Sequence, residues 1–184
     1  STLFPYTTLF RSKPRELKVG ASMIEIAQYI RGRQAPRFFG LLPEQAMLIG
    51  RFFPEAREAT IAAADRIRAH RFDLLGSGER ELGNEIDWHK DFKSSHRWPL
   101  DHYTRLQIVS PDGGFDVKVP WELSRFHHAL RLGQAYLYTQ DEFYAKEIVD
   151  QVEDWLKKNP YEFGVNWAGP MDVAIRAVNW LWAL

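Results

Sequence analysis

The chain has 184 residues, of which 45% are hydrophobic and 26% charged, as expected of a globular protein with one substantial core. It carries 24 basic and 24 acidic residues and no apolar run near the roughly 18 residues of a membrane span, so we expect neither nucleic acid nor a membrane as a partner. The absence of cysteine excludes disulfides, thiol catalysis and cysteine-ligated zinc.

The N-terminal part divides into two stretches. Residues 1–12, STLFPYTTLFRS, resemble the in-frame translation of a common sequencing adapter, so we exclude them from the fold. We interpret the remainder as an internal fragment of a longer gene. Residues 13–71 are predicted to form N-terminal helices: a short one over 21–31, a second from Pro43 and a third from Pro54, since proline is tolerated in a helix's first turn.

Helical periodicity disappears between Ser77 and Pro120. Aromatic-rich irregular chain is expected there, with a short β-hairpin that pairs residues 106–109 with residues 115–119 across a Gly-rich turn. A low-helix insertion of this length usually borders a site.

Three histidines of this insertion are candidate metal ligands: His89, His96 and His102. Their spacing matches no ligand motif, and the chain contains no HExxH sequence. We therefore expect no metal and no cofactor.

A long helix is predicted from Pro120 to Tyr138. Its expected core stripe is Leu123, Phe126, Leu130, Gly133 and Leu137. A second set lies about one turn apart on another face, where it can line a cleft: Glu122, Arg125 and His128.

The next helix is predicted to begin with a capping box over residues 139–142 and to end at Asn159-Pro160. Its expected buried stripe is Tyr144, Ile148, Val152 and Trp155. Helices joined in this way by short turns indicate antiparallel helical hairpins.

The last helix, begun by Gly169-Pro170, has two different faces. One is an apolar stripe of Met171, Ala174, Val178 and Leu181. The other carries Asp172, Arg176 and Asn179. Three tryptophans, Trp167, Trp180 and Trp182, combined with Asn166, Arg176 and Asn179, are typical of a sugar-binding cleft. Spacing alone favours the alternative of core tryptophans beside a capping asparagine.

Several ordered blocks resemble the N-terminal domain of the heparinase II/III-like polysaccharide lyases. The blocks are DVKVPWELSRF at 116–126, LGQAY at 132–136, Trp155 with Asn159-Pro160, and GVNW at 164–167 through WLWAL at 180–184. With Ile86-Asp87-Trp88 upstream, the resemblance spans roughly residues 72–184.

The resemblance implies an all-α fold, in which residues 72–184 begin an incomplete (α/α) toroid that the complete protein follows with further hairpins and a β-sandwich domain. The family cleaves acidic polysaccharides by β-elimination and resides in the periplasm or is secreted. Its neutralising Asn, often followed by His, comes after the Trp-Leu-Trp-Ala-Leu helix, with Tyr and another His later. No Asn-His pair occurs in this sequence, so we expect the catalytic residues beyond Leu184 and no activity from this chain alone.

The resemblance also implies that this part of the chain forms the wall of a substrate cleft. The candidate substrate-binding residues, in order, are Arg176, Asn166, Trp167, Asn179, Arg125, Glu122, His128 and Trp121. Arginine suits a uronate carboxylate or a sulfate, and tryptophan suits the CH face of a sugar ring. Alternatively, Glu122 and Arg125 form an internal ion pair, and Asn166 only caps the last helix.

Two other functions remain open. A non-catalytic toroid that binds carbohydrate or acts as a scaffold would keep these residues without the chemistry. A glycoside hydrolase would need two opposed carboxylates, for which Asp172 and Glu122 are the only nearby acids.

Overall fold

The structure, a computed structural model, describes residues 43–183. The predictions for residues 1–12 and for a helix over 21–31 lie outside the described residues. Within them, no helix is long and apolar enough to cross a membrane.

The described part is mainly helical, as the all-α prediction requires; the arrangement of its helices in a toroid remains a prediction. Its α-helices are α1 (Pro43–Phe52), α2 (Pro54–Arg68), α3 (Lys118–Ser124), α4 (His127–Thr139), α5 (Glu142–Lys158) and α6 (Pro170–Ala183). Single-turn 3₁₀ helices occur at Tyr103–Arg105 and Val165–Trp167. Two short antiparallel strands, β1 (Arg71–Asp73) and β2 (Glu79–Glu81), follow α2.

The proline-based helix starts are confirmed. Pro43 begins α1 and Pro54 begins α2, where its missing N–H is no loss because the first turn has no intrahelical acceptor for it. The buried stripe of α5 is also confirmed, and its C-cap is Asn159, as expected.

The predicted hairpin over residues 106–119 is wrong, because the only strands in the described range are β1 and β2. Nearby side chains, rather than a partner strand, accept hydrogen bonds from the backbone N–H groups of this segment. Ser110 Oγ and Asp112 Oδ1 accept from Gly114 N at 2.8 and 3.2 Å. Asp116 Oδ1 accepts from Lys118 N at 3.0 Å and leads the chain into α3. Three apolar side chains of this segment, Leu106, Ile108 and Phe115, pack against a small core of Trp98, Val117 and Val165.

The single long helix predicted from Pro120 is also wrong, because it breaks at Phe126 into α3 and α4. Phe126 has a left-handed backbone with φ 60°, which is costly for a bulky residue. Its buried ring stacks on Trp88 at 5.2 Å and meets the Trp180 ring edge-to-face at 5.4 Å. This packing offsets the backbone strain and fixes the break.

The break changes which residues of α4 face the core. The buried positions are His128, Ala129, Leu132 and Ala135, whereas the predicted Leu130, Gly133 and Leu137 are only half-buried. The predicted capping box is displaced as well: the N-cap of α5 is Asp141, whose carboxylate accepts from Phe143 N at 3.0 Å, and not Thr139.

Helix α6 has the two faces that its sequence predicts, and the polar one lies inside. Asp172, Arg176 and Asn179 are buried, while Met171 and Leu181 are each 63% exposed. The loop before α6 and the α3–α4 junction therefore meet a polar surface of this helix.

Candidate functional site: a buried arginine cluster

Arg176 lies at the centre of a cluster of aromatic rings and carbonyl groups. Its side chain is buried, with the guanidinium carbon 4.0 Å from the Trp155 ring centroid and 5.5 Å from that of Trp167. Its Nη1 donates to Ser124 O at 3.2 Å and its Nη2 donates to Asn166 O at 3.3 Å. Burial lowers the pKa of Arg176 to about 10, so the group remains a cation at neutral pH.

Asn166 is fully buried and joins three chain segments. Its Nδ2 donates to Trp88 O at 2.8 Å and to Asn159 Oδ1 at 2.9 Å, and its backbone carbonyl accepts from Arg176. These contacts hold the 159–168 loop against the aromatic segment around Trp88. The alternative in which Asn166 only caps the last helix is therefore wrong.

The two candidate tryptophans lie at the edge of this cluster and are half-buried. Trp121 Nε1 donates to Val165 O at 2.9 Å, and Trp167 Nε1 donates to Asn159 O at 3.3 Å. Their polar ends are thus held by the backbone, which fixes the ring orientation. Together with Glu122 and Arg125 they form the partly exposed rim of the cluster, and we refer to these four residues as the rim.

Arg125 binds two carboxylates. Its Nε donates to Asp172 Oδ1 at 2.7 Å, and its Nη1 donates to Glu122 Oε2. The alternative of a Glu122–Arg125 ion pair is thus confirmed, and Asp172 extends it to α6. Asp172 is only 3% exposed at its side chain, while Arg125 and Glu122 are 20% and 22% exposed, so this network reaches from the interior to the surface.

Asn179 connects α6 to the α3–α4 junction. Its Nδ2 donates to Arg125 O at 2.7 Å and lies 3.1 Å from His127 Nδ1. Because the amide nitrogen is a donor, His127 Nδ1 is the acceptor in this contact. His127 is exposed and lies at the end of the network.

His128 belongs to a different set of contacts. Its Nε2 donates to Gln151 Oε1 at 2.8 Å, and Gln151 Nε2 donates to Glu147 Oε1 at 2.7 Å. Burial lowers the pKa of His128 to about 4, so its imidazole is neutral at pH 7. Glu147 in turn contacts His70 Nε2 at 3.2 Å, where this partnership raises the pKa of His70.

The sequence did not indicate three members of the site: Trp155, Ser124 and His127. Asp172 was predicted to share a helix face with Arg176 and Asn179, as observed, but was not among the candidate substrate-binding residues. Trp155 was identified only as a core residue, yet its ring covers the guanidinium and its Nε1 donates to Ser124 Oγ at 3.1 Å. The contacts of Ser124 and His127 depend on the break at Phe126, which the sequence pattern did not indicate.

The arrangement supplies a fixed cation and a rim of charged and aromatic groups. Nothing in residues 43–183 gathers three or more His, Asp or Glu side chains into a geometry that could hold a metal. Nearly all polar groups of the cluster have hydrogen-bond partners within the chain. The rim is different, because Arg125 uses only two of its five guanidinium N–H groups in the contacts above. The rim is therefore the part of the cluster that keeps free hydrogen-bond donors.

Comparison with known proteins places the chain in a family. Heparin-sulfate lyase of Pedobacter heparinus is 30% identical over 104 residues, which make up 56% of this chain and 13% of that protein. The chain thus spans a small part of the length of this relative. No solved structure shows a significant match. A family model described as the heparinase II/III N-terminus matches residues 18–181, beginning well upstream of Phe72, where we expected the resemblance to start. Since that match covers most of its length, the chain belongs to the heparinase II/III N-terminal family.

Proposed function

We propose that this chain is part of a lyase that cleaves a uronic-acid-containing polysaccharide by β-elimination, and that it contributes a wall of the substrate cleft. The family match over residues 18–181 carries the proposal. The name of the relative, heparin-sulfate lyase, supports an acidic polysaccharide as the substrate class. The complete protein would add the remaining helical hairpins and a β-sandwich domain, and would act outside the cytoplasm.

The chemistry divides the work between this chain and the rest of the protein. β-Elimination removes the C5 proton of a uronate and breaks the C4–oxygen bond, which leaves an unsaturated sugar. The C5 proton becomes acidic only when the neighbouring carboxylate is neutralised, and a base must then accept it. We assign those steps to an Asn, a Tyr and a His beyond Leu184, and assign to this chain the binding and orientation of the polymer.

Within this chain, the rim would touch the sugar and the buried residues would hold the rim. The remaining N–H groups of Arg125 suit a carboxylate or a sulfate, and the faces of Trp121 and Trp167 suit a sugar ring. Arg176, Asn166 and Asn179 fix the loop, α3 and α6 relative to one another through the carbonyls that they bind. Binding geometry that is held in advance lowers the cost of ordering the substrate.

The test is a lyase assay on the complete protein encoded by the source gene. Ultraviolet absorbance of the unsaturated product is followed during digestion of heparan sulfate, chondroitin and alginate. We expect product from at least one polymer, and a loss of kcat/KM of about tenfold or more in Arg125→Ala. The matched control is Arg131→Ala on α4, an exposed arginine whose side chain contacts Gln134, and it should retain full activity.

Two results would contradict the proposal. A folded complete protein that binds these polymers but releases no unsaturated product would be the non-catalytic carbohydrate-binding protein. If Arg125→Ala and Trp167→Ala both leave the lyase activity unchanged, the rim does not bind the substrate.

A further inference from the structure

A second surface of the described chain combines exposed aromatic rings with basic side chains that keep free hydrogen-bond donors. Tyr161 is 62% exposed and Phe163 is 42% exposed, both in the loop between α5 and α6. The Tyr161 ring stands edge-to-face against Trp167 at 5.3 Å, and the Phe163 ring stands edge-to-face against His102 at 6.0 Å. We call Tyr161, Phe163 and His102 the ring platform.

The backbone beneath the ring platform is held by hydrogen bonds between two chain segments. Tyr103 N donates to Glu162 O at 3.0 Å, and Gly164 N donates to Asp101 O at 2.8 Å. Phe163 N donates to Pro160 O at 2.8 Å and closes a tight turn, in which Glu162 takes the left-handed φ of 67° that glycine usually supplies. The exposed rings are thus presented by a fixed loop, which keeps the cost of ordering them low on binding.

A pocket of about 330 Å³ lies where the same two segments begin. Its charged lining residues are three basic ones, Arg97, Lys157 and Lys158, and two acidic ones, Glu85 and Asp87, and Leu100 adds an exposed apolar wall. Lys158 is tied to Asp154 at 2.9 Å, and Arg97 uses its Nε to reach Asp87 at 2.7 Å.

Two of these cations keep capacity for a ligand. Lys157 has no ion pair among residues 43–183, and Arg97 retains the N–H groups of its two Nη atoms. The carbonyls at the end of α5 do not require them, because His89 Nε2 donates to Lys158 O at 3.0 Å and Asn159 donates to Trp155 O. These cations are therefore free to attract an anion rather than to cap the helix.

We propose that the ring platform and this pocket form a second binding surface for an acidic polysaccharide, which adjoins the rim where Tyr161 packs against Trp167. The CH faces of pyranose rings would lie on Tyr161 and Phe163, while Lys157 and Arg97 would bind a carboxylate or a sulfate of the same chain. The inference rests on the proposed substrate class and adds a site at which the polymer is held outside the cleft. A neutral polymer would contact the aromatic rings but would have no anionic group for Lys157 and Arg97. The surface should therefore bind acidic polymers more tightly than neutral ones.

The experiment measures binding of the 184-residue chain to a short heparan sulfate oligosaccharide by calorimetry at low salt. Tyr161→Ala and Lys157→Ala should each weaken binding by about three- to tenfold. The controls are Phe143→Ala and Lys118→Ala, an exposed aromatic residue and an exposed lysine located elsewhere, which should bind as the unsubstituted chain does. High salt should abolish the effect of Lys157→Ala and leave that of Tyr161→Ala, because only the former acts through charge.

The outcomes separate this proposal from the lyase proposal. If both site variants bind like their controls, the second surface is not a polysaccharide site, whatever the complete protein does. If the chain does not bind the oligosaccharide but associates through Tyr161 and Phe163, the platform is a protein interface and the inference fails. If site variants weaken binding while the complete protein releases no unsaturated product, the surface stands and the lyase proposal fails.

Discussion

The polar face of α6 is buried and its apolar face is exposed. Arg176 is 2% exposed on the polar face, whereas Val178, two residues later on the apolar face, is 51% exposed. A helix at a protein surface normally buries its apolar stripe. The comparison teaches that a polar face can be the inner one where neighbouring elements supply hydrogen-bond partners for each buried group, and the predictions below test both faces.

The largest effect is expected from Arg176→Ala. The substitution removes the guanidinium from the Trp155 ring, leaves the carbonyls of Ser124 and Asn166 without their donors, and opens a cavity. Those losses should lower the free energy of unfolding by about 3–5 kcal/mol. Urea unfolding followed by tryptophan fluorescence measures the change, with the exposed Arg131→Ala as the control. A loss equal to that of the control would show that the inner face contributes nothing.

The second effect concerns another polar group in the interior, His128 on α4. Its folded pKa of about 4 lies below the roughly 6.5 of an unfolded imidazole, so unfolding takes up a proton between these two values. Stability should therefore decrease as the pH falls from about 6.5 to 4, by about 3 kcal/mol in total.

The pH dependence is measured by urea unfolding at a series of pH values, and His128→Gln should flatten the slope in this window. His70 has the opposite sign: its pKa is raised by Glu147, so its contribution is complete below about 6.5 and is lost as the pH rises through the folded pKa. If His128→Gln leaves the pH dependence of the unfolding free energy unchanged, other groups cause the loss of stability in acid.

The sequence predicts those features of the fold that depend on local chemistry. The stripe of α5 and the starts at Pro43 and Pro54 follow from side-chain spacing and from the missing proline N–H. The break at Phe126 could not be predicted in this way, because a left-handed phenylalanine is stabilised by rings at Trp88 and Trp180, far away in the chain.

The site was predictable to a similar degree. Spacing places Asp172, Arg176 and Asn179 on one face of a helix, but periodicity does not say which face is buried. That depends on carbonyls and side chains from α3 and from the loop around Asn166, whose positions follow only from the tertiary fold.

A smaller effect is expected where α6 begins. A Cβ on Gly169 would lie 2.1 Å from Asp172 Oδ2, so Gly169→Ala must displace the carboxylate that binds Arg125. We expect a loss of about 1–3 kcal/mol, typical of overpacking and of a weakened buried ion pair. Gly114→Ala is the matched control, since its Cβ would lie 3.3 Å from an exposed Asp112 side chain. Equal unfolding free energies for the two variants would mean that Asp172 moves at no cost.

The smallest effect on stability, and the clearest contrast, is expected on the outer face of α6. Val178→Lys and Leu181→Lys replace exposed apolar side chains on this face of α6. The free energy of unfolding should change by no more than about 0.5 kcal/mol. Sedimentation velocity should show less self-association than in the unsubstituted chain, because an exposed apolar stripe promotes contact between copies.

Val152→Lys, at a buried position of α5, is the control that should unfold the chain. A loss of several kcal/mol from the two α6 variants would contradict the contrast, since it would mean that the apolar face is also covered within the chain.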